Sequence, residues 1–95
     1  MHIGVIRISL VLPSRTLKEK RTIVRSVVER LRNRFNAAVA EVDNLDTPGR
    51  TTIAASVIST SPAHAQAQLQ EIAGAIAHWR LDAEITGIET ETIAF

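Results

Sequence analysis

The stretch His2-Ile3-Gly4-Val5-Ile6-Arg7-Ile8-Ser9-Leu10-Val11-Leu12-Pro13, running straight into Ser14-Arg15-Thr16-Leu17-Lys18-Glu19, decides the fold class. Ile6, Ile8, Leu10 and Leu12 recur with period two, so they share the face of a strand that should meet a core. Ile3, Val5, Arg7, Ser9 and Val11 form the alternate face, which is apolar at its start. Pro13 cannot continue a strand ladder. Thr16 to Glu19 then matches a capping box, in which a hydroxyl and a carboxylate satisfy free amides at a helix start. A strand thus leads directly into a helix.

Working outward, Leu17, Val24, Val28, Leu31 and Phe35 recur along one stripe of a 3.6-residue helix reaching about Phe35. Val39–Leu45 alternates again, and Thr51–Thr60 is β-branched. Asp46-Thr47-Pro48-Gly49 between them reads as a hairpin turn, with Gly49 expected to supply positive φ. Ser61-Pro62 is an N-cap followed by proline, and Ala65, Leu69, Ile72, Ala73 and Ile76 give a second amphipathic helix to about Trp79. Gly74 inside it is expected to permit close packing on a sheet. Asp82–Ile93 alternates weakly around Gly87 and reads as an edge strand. The order β-α-β-β-α-β predicts an α+β ferredoxin-like sandwich over residues 1–95, a single domain whose four-stranded antiparallel sheet carries both helices on one face.

Charge is unevenly spread. Residues 15–34 hold eight cations against Glu19 and Glu29, whereas residues 35–95 hold only Arg50 and Arg80 against eight carboxylates. Such asymmetry acts on partner choice and encounter rather than on fold. The chain has no cysteine, which excludes disulfide scaffolds, thiol catalysis and cysteine zinc sites. With no leader-like start and no apolar run near the ~20 residues of a membrane span, it is expected to be cytoplasmic.

Arg15-Thr16-Leu17-Lys18-Glu19-Lys20-Arg21, followed by Arg30-Leu31-Arg32-Asn33-Arg34-Phe35-Asn36 and Val39-Ala40-Glu41-Val42-Asp43, resembles the YlxP-like family of small bacterial proteins, a domain of unknown function. The resemblance covers nearly the whole chain. It implies a ferredoxin-like fold, and because family members are often encoded beside translation and ribosome-maturation factors, it points toward RNA or the ribosome. It brings no catalytic residues.

The first helix offers the best candidate site. At 100° per residue from Leu17, Arg21, Arg32, Arg25 and Lys18 fall at about 40°, 60°, 80° and 100°, one cationic flank beside the core stripe. Guanidinium forks pair bidentately with phosphate, so structured RNA, plausibly ribosomal, is the natural counter-surface. The plainer alternative is a solvated face with Arg25 and Glu29 paired at i, i+4. Base stacking is poorly supported, since Phe35, Trp79 and Phe95 all lie outside the first and third strands. Arg15 and Thr16 form a weaker anion-binding candidate at the helix start, the only place where a small phosphate- or acyl-ester hydrolase is conceivable. Ile3, Val5 and Val39, joined by Ala54 and Ile58, are expected on the open sheet face, where an apolar patch would suit a protein partner or a homodimer. Glu41 and Asp43 are expected to share one strand face, exposed beside Arg7. His2, His64 and His78 lack metal-ligand spacing, with His64 and His78 read as surface residues. The expectation is a non-enzymatic binding module without cofactor, metal, membrane attachment or small-molecule substrate.

Overall fold

The computed structural model describes residues 1–79 and 82–95. Arg80, counted above in the acidic half, lies outside them, as does Leu81. The chain runs β1 (His2–Val11), α1 (Leu17–Arg34), β2 (Ala38–Asp43), β3 (Arg50–Ser59), α2 (Pro62–His78) and β4 (Glu84–Ala94). Its four strands form one antiparallel sheet in the order β2-β3-β1-β4, an α+β ferredoxin-like arrangement. β1 is central, with Ile8 opposite Ile53 of β3 and Ile88 of β4. The period-two face read from the sequence is the covered one. Ile6, Ile8, Leu10 and Leu12 are buried together with Ile53, Ala55 and Val57 of β3, Val24, Val27, Val28 and Leu31 of α1, and Ala65, Leu69, Ile72 and Ile76 of α2.

Both helices begin as their capping residues dictate. The Glu19 amide donates to Thr16 Oγ1 at 3.1 Å, and the His64 amide donates to Ser61 Oγ at 3.3 Å with Pro62 following the cap. The glycine expectations are corrected. Gly74 is exposed with no atom near where a Cβ would stand, so it serves no close approach. Close approach occurs at Gly4, where a Cβ would lie 3.1 Å from Val57 and 3.2 Å from Leu69, so the missing side chain lets α2 settle on β1. In the β2–β3 connection it is Asn44, not Gly49, that takes positive φ, at 60°. Asparagine tolerates this conformation through local hydrogen bonding. Here the Asn44 amide donates to Asp43 Oδ1, and Asn44 Nδ2 donates to Thr52 Oγ1 at 3.1 Å.

One residue of α1 departs from the hydropathy reading. Lys20 lies on the buried stripe, four residues before Val24, and is only 1% exposed. Its ammonium meets Glu41 at 3.0 Å and donates to the carbonyls of Asn44 and Leu45, so three acceptors serve its three protons. Thr51 Oγ1 also donates to the Glu41 carboxylate. A register shift between Glu41 and Asp43 makes this possible. Glu41 pairs with Ile53 and Asp43 with Thr52, leaving Val42 as the extra residue of a bulge. Glu41 and Asp43 therefore do not share a face. Glu41 turns inward to Lys20, while Asp43 stays exposed opposite Thr52 on the open side.

Candidate nucleic-acid interface

Two turns of α1 display Lys18, Arg21 and Arg25, all exposed, over about 10 Å of helix axis. They share a flank because their spacing, i, i+3 and i+7, returns each side chain to the same side while Lys20, Val24, Val27, Val28 and Leu31 fill the buried stripe. Among the described residues none of these three cations forms a salt bridge. The two ion pairs found there are Lys20 with Glu41 and Arg7 with Glu89. Arg25 and Glu29, though correctly spaced, do not pair, so the flank is not quenched by its own helix.

The remaining cations of α1 are more committed. Arg32 is exposed but donates through Nη2 to the Val39 carbonyl of β2 at 2.7 Å, which anchors the fourth member of the flank to the sheet edge. Arg30 lies over the Trp79 ring at 5.4 Å and Arg34 over Phe35 at 5.5 Å, geometries in which the ring face attracts the guanidinium. All three keep their charge, but the α1 cations with no partner of this kind among the described residues are Lys18, Arg21 and Arg25, in its N-terminal half.

Arg15 and Thr16 sit at the helix start as expected, but the anion there is supplied by the chain itself. Thr16 Oγ1 accepts from the Glu19 amide, and the Glu19 carboxylate accepts the Arg15 amide at 3.2 Å. The carboxylate occupies the end of the macrodipole that would favour a bound phosphate. No nucleophile–base pair arises at Ser14, whose hydroxyl donates to the Pro48 carbonyl and ties this loop to the hairpin.

The open sheet face carries Ile3 and Val5, partly exposed, with Ala54, Ile58, Val42 and Ile93 around them. Ile3 stands between Ile58 and Ile93 in a row of three isoleucines across β3, β1 and β4. Val39 does not belong there. It is 4% exposed, lies opposite the buried Ala55 and packs in the core, because the β2 register assigns it to the covered face. Arg7 pairs with Glu89 at 2.8 Å, and this contact, reinforced by Asp43, holds its guanidinium still further above its ordinary value. The charged members of the open face are Arg7 and Arg50 against Asp43, Glu84, Glu89 and Glu91, so the face is net acidic.

Of the histidines, His64 is exposed and places Nδ1 2.9 Å from Ser59 Oγ, which also accepts the Ser61 amide. This arrangement joins the end of β3 to the start of α2. Among the described residues no three His, Asp or Glu side chains converge as metal ligands, and no helix is long and apolar enough to cross a membrane. Sequence reasoning missed Lys20 and the Arg32–Val39 bond. The signal for Lys20 in the sequence is its position on the apolar stripe, four residues before Val24.

A family model described as a protein of unknown function, DUF503, matches residues 3–90. The chain is 32% identical over 57 residues to the uncharacterized protein YlxP of Bacillus subtilis (strain 168), a stretch covering 60% of this chain and 62% of that protein's length.

Proposed function

This chain belongs to the DUF503 family of proteins of unknown function; from that premise, which carries no activity, we propose that it is a non-enzymatic module that binds structured RNA, ribosomal RNA foremost, through α1. The single observation supporting this reading is that Lys18, Arg21 and Arg25 are exposed along one flank with no carboxylate partner among the described residues. Unpaired cations in a row gain counterion release from a phosphate backbone. Arg32 flanks them, its Nη2 held by Val39 and its other donors available to a phosphate. Recognition is of backbone and shape, since none of Phe35, Trp79 and Phe95 lies within a strand.

The test is filter binding or fluorescence anisotropy with a structured ribosomal RNA fragment across a salt series. Three phosphate contacts at roughly 0.7–0.9 per contact give a slope of log K against log salt between about −2 and −3. The triple variant Lys18→Glu, Arg21→Glu, Arg25→Glu should lose binding while keeping its circular dichroism spectrum and melting temperature. Arg32 is left intact because its bond to β2 would confound binding with folding. Retained RNA affinity in the folded triple variant would refute the proposal.

A second reading rests on the isoleucine row Ile58–Ile3–Ile93. An apolar row on an otherwise charged face suits association with protein, including a second copy of this chain. Light scattering on the wild type and Val5→Glu tests the homodimer directly. A wild-type monomer at high micromolar concentration, unchanged by the substitution, would remove it.

A further inference from the structure

The two edges of the sheet are finished differently. β2 has six residues, and the Val39 carbonyl receives Arg32 from α1; both edge pairings carry a bulge, at Val42 on β2 and at Thr86 on β4, and on β4 it leaves residues 87–94 in regular register with β1. β4 has eleven residues and lies at the other edge with only β1 beside it. Beyond the ladder with β1, the hydrogen bonds at this strand among the described residues run through side chains, from Thr86 Oγ1 to the Ser9 carbonyl, from Thr92 Oγ1 to Gln66 Oε1 and from Arg7 Nη2 to Glu89 Oε2. No described residue pairs with its outward backbone. An open row of N–H and C=O groups on a long edge strand is a template for an added strand, with backbone bonds supplying affinity and alternate side chains supplying selectivity.

The side chains along β4 specify the guest. On the covered side of the sheet Ile88 remains 47% exposed, so the helix layer leaves it unroofed at the edge. On the open side stand Glu89 and Glu91, two residues apart. Glu89 shares Arg7, and Glu91 has no cation partner among the described residues. A second copy of β4 meets a charge penalty in two registers, though not in the one centred on Ile88, which sets Glu89 opposite Gly87. Antiparallel self-pairing centred on Glu89 places that residue opposite itself, and pairing centred on Thr90 places Glu89 opposite Glu91. Like charges directly opposite one another are destabilising. A segment carrying Lys or Arg at the same two positions reverses the sign at both.

We propose that the outer edge of β4 accepts, as an added antiparallel strand, an extended basic segment of another polypeptide, with cationic residues opposite Glu91 and Glu89 and an apolar β-branched residue beside Ile88. This proposal is independent of the RNA reading, which concerns the opposite side of the molecule's charge map.

The probe is the synthetic peptide Thr-Lys-Val-Lys-Ile-Thr, blocked at both ends and titrated into the isotope-labelled full chain by NMR. Chemical-shift changes and slowed amide exchange are expected along residues 85–93, with α1 unaffected. Glu91→Lys should weaken binding by roughly 3- to 10-fold, since a cross-strand attraction becomes a repulsion. Two further peptides, N-methylated on one or the other alternate set of amides, separate strand addition from simple charge attraction. One should bind and the other should not. Equal binding by both, shifts centred away from β4, or no binding at millimolar peptide would overturn the proposal. So would a concentration-dependent dimer showing the same β4 shifts without peptide. Repeating the titration with Lys18→Glu, Arg21→Glu, Arg25→Glu keeps this outcome separate from the RNA result, because that variant should bind the peptide normally.

Discussion

The β2 edge and the β4 edge each carry one cation–carboxylate pair, at nearly the same distance. Lys20 meets Glu41 at 3.0 Å, with side chains 1% and 16% exposed; Arg7 meets Glu89 at 2.8 Å, with 56% and 69% exposed. The first pair joins α1, β2 and the connection after β2 in one buried contact. The second lies on the surface, where water and salt compete with it. Separation alone therefore says little about what a pair holds together. Burial and the number of elements joined decide it: the pair at β2 ties a helix, a strand and a connection together, while the pair at β4 joins two neighbouring strands at the surface.

The substitution expected to perturb this contrast most is Lys20→Met. Removing one partner of a buried pair strands the Glu41 carboxylate and two carbonyls, and should destabilise the fold by about 3 kcal/mol, read by urea unfolding. Adding Glu41→Leu should restore much of that loss, since a fully apolar replacement leaves no uncompensated charge. If Lys20→Met alone melts like the wild type, the buried pair is not what holds α1 to β2 and the connection after it. Arg32→Ala comes next, at about 1 kcal/mol for a lost hydrogen bond to a backbone carbonyl, with faster amide exchange in β2 as its specific signature. Hydrogen exchange on the unmodified protein sharpens the comparison further, since alternate amides of β4 should exchange faster than their inward-pointing neighbours. The smallest effect is assigned to Arg7→Ala, for which no change in melting temperature is expected in 0.15 M salt. A clear drop there would mean that the open edge is braced after all.

How much of this was legible depended on the range of the interactions involved. Element order and the covered face of β1 follow from local periodicity, and Ile6, Ile8, Leu10 and Leu12 announce it without help from the rest of the chain. Both helix starts are equally local, since Thr16 and Ser61 cap within three residues of themselves. The facing of β2 is not local. One extra residue at Val42 changes which side chains turn inward, and only pairing with β3 reveals where it sits. Alternation by itself therefore leaves Val39 and Glu41 on the open face, and the pairing with β3 turns both inward. Lys20 was hidden for the same reason. A lysine becomes a core residue only when three acceptors converge on it, and here they come from residues 41, 44 and 45, more than twenty positions away. In the candidate site, the free flank of Lys18, Arg21 and Arg25 was readable from helical spacing. The diversion of Arg32 to Val39 needed the tertiary structure.

The central place of β1 also shapes the order in which the molecule can be assembled. β1 precedes both of its neighbours, and the second of these, β4, follows it across four intervening elements. Until residues near 94 have paired, β1 has one bare side and the sheet cannot close. These long-range pairings place this domain among slower folders than a helical bundle of equal length.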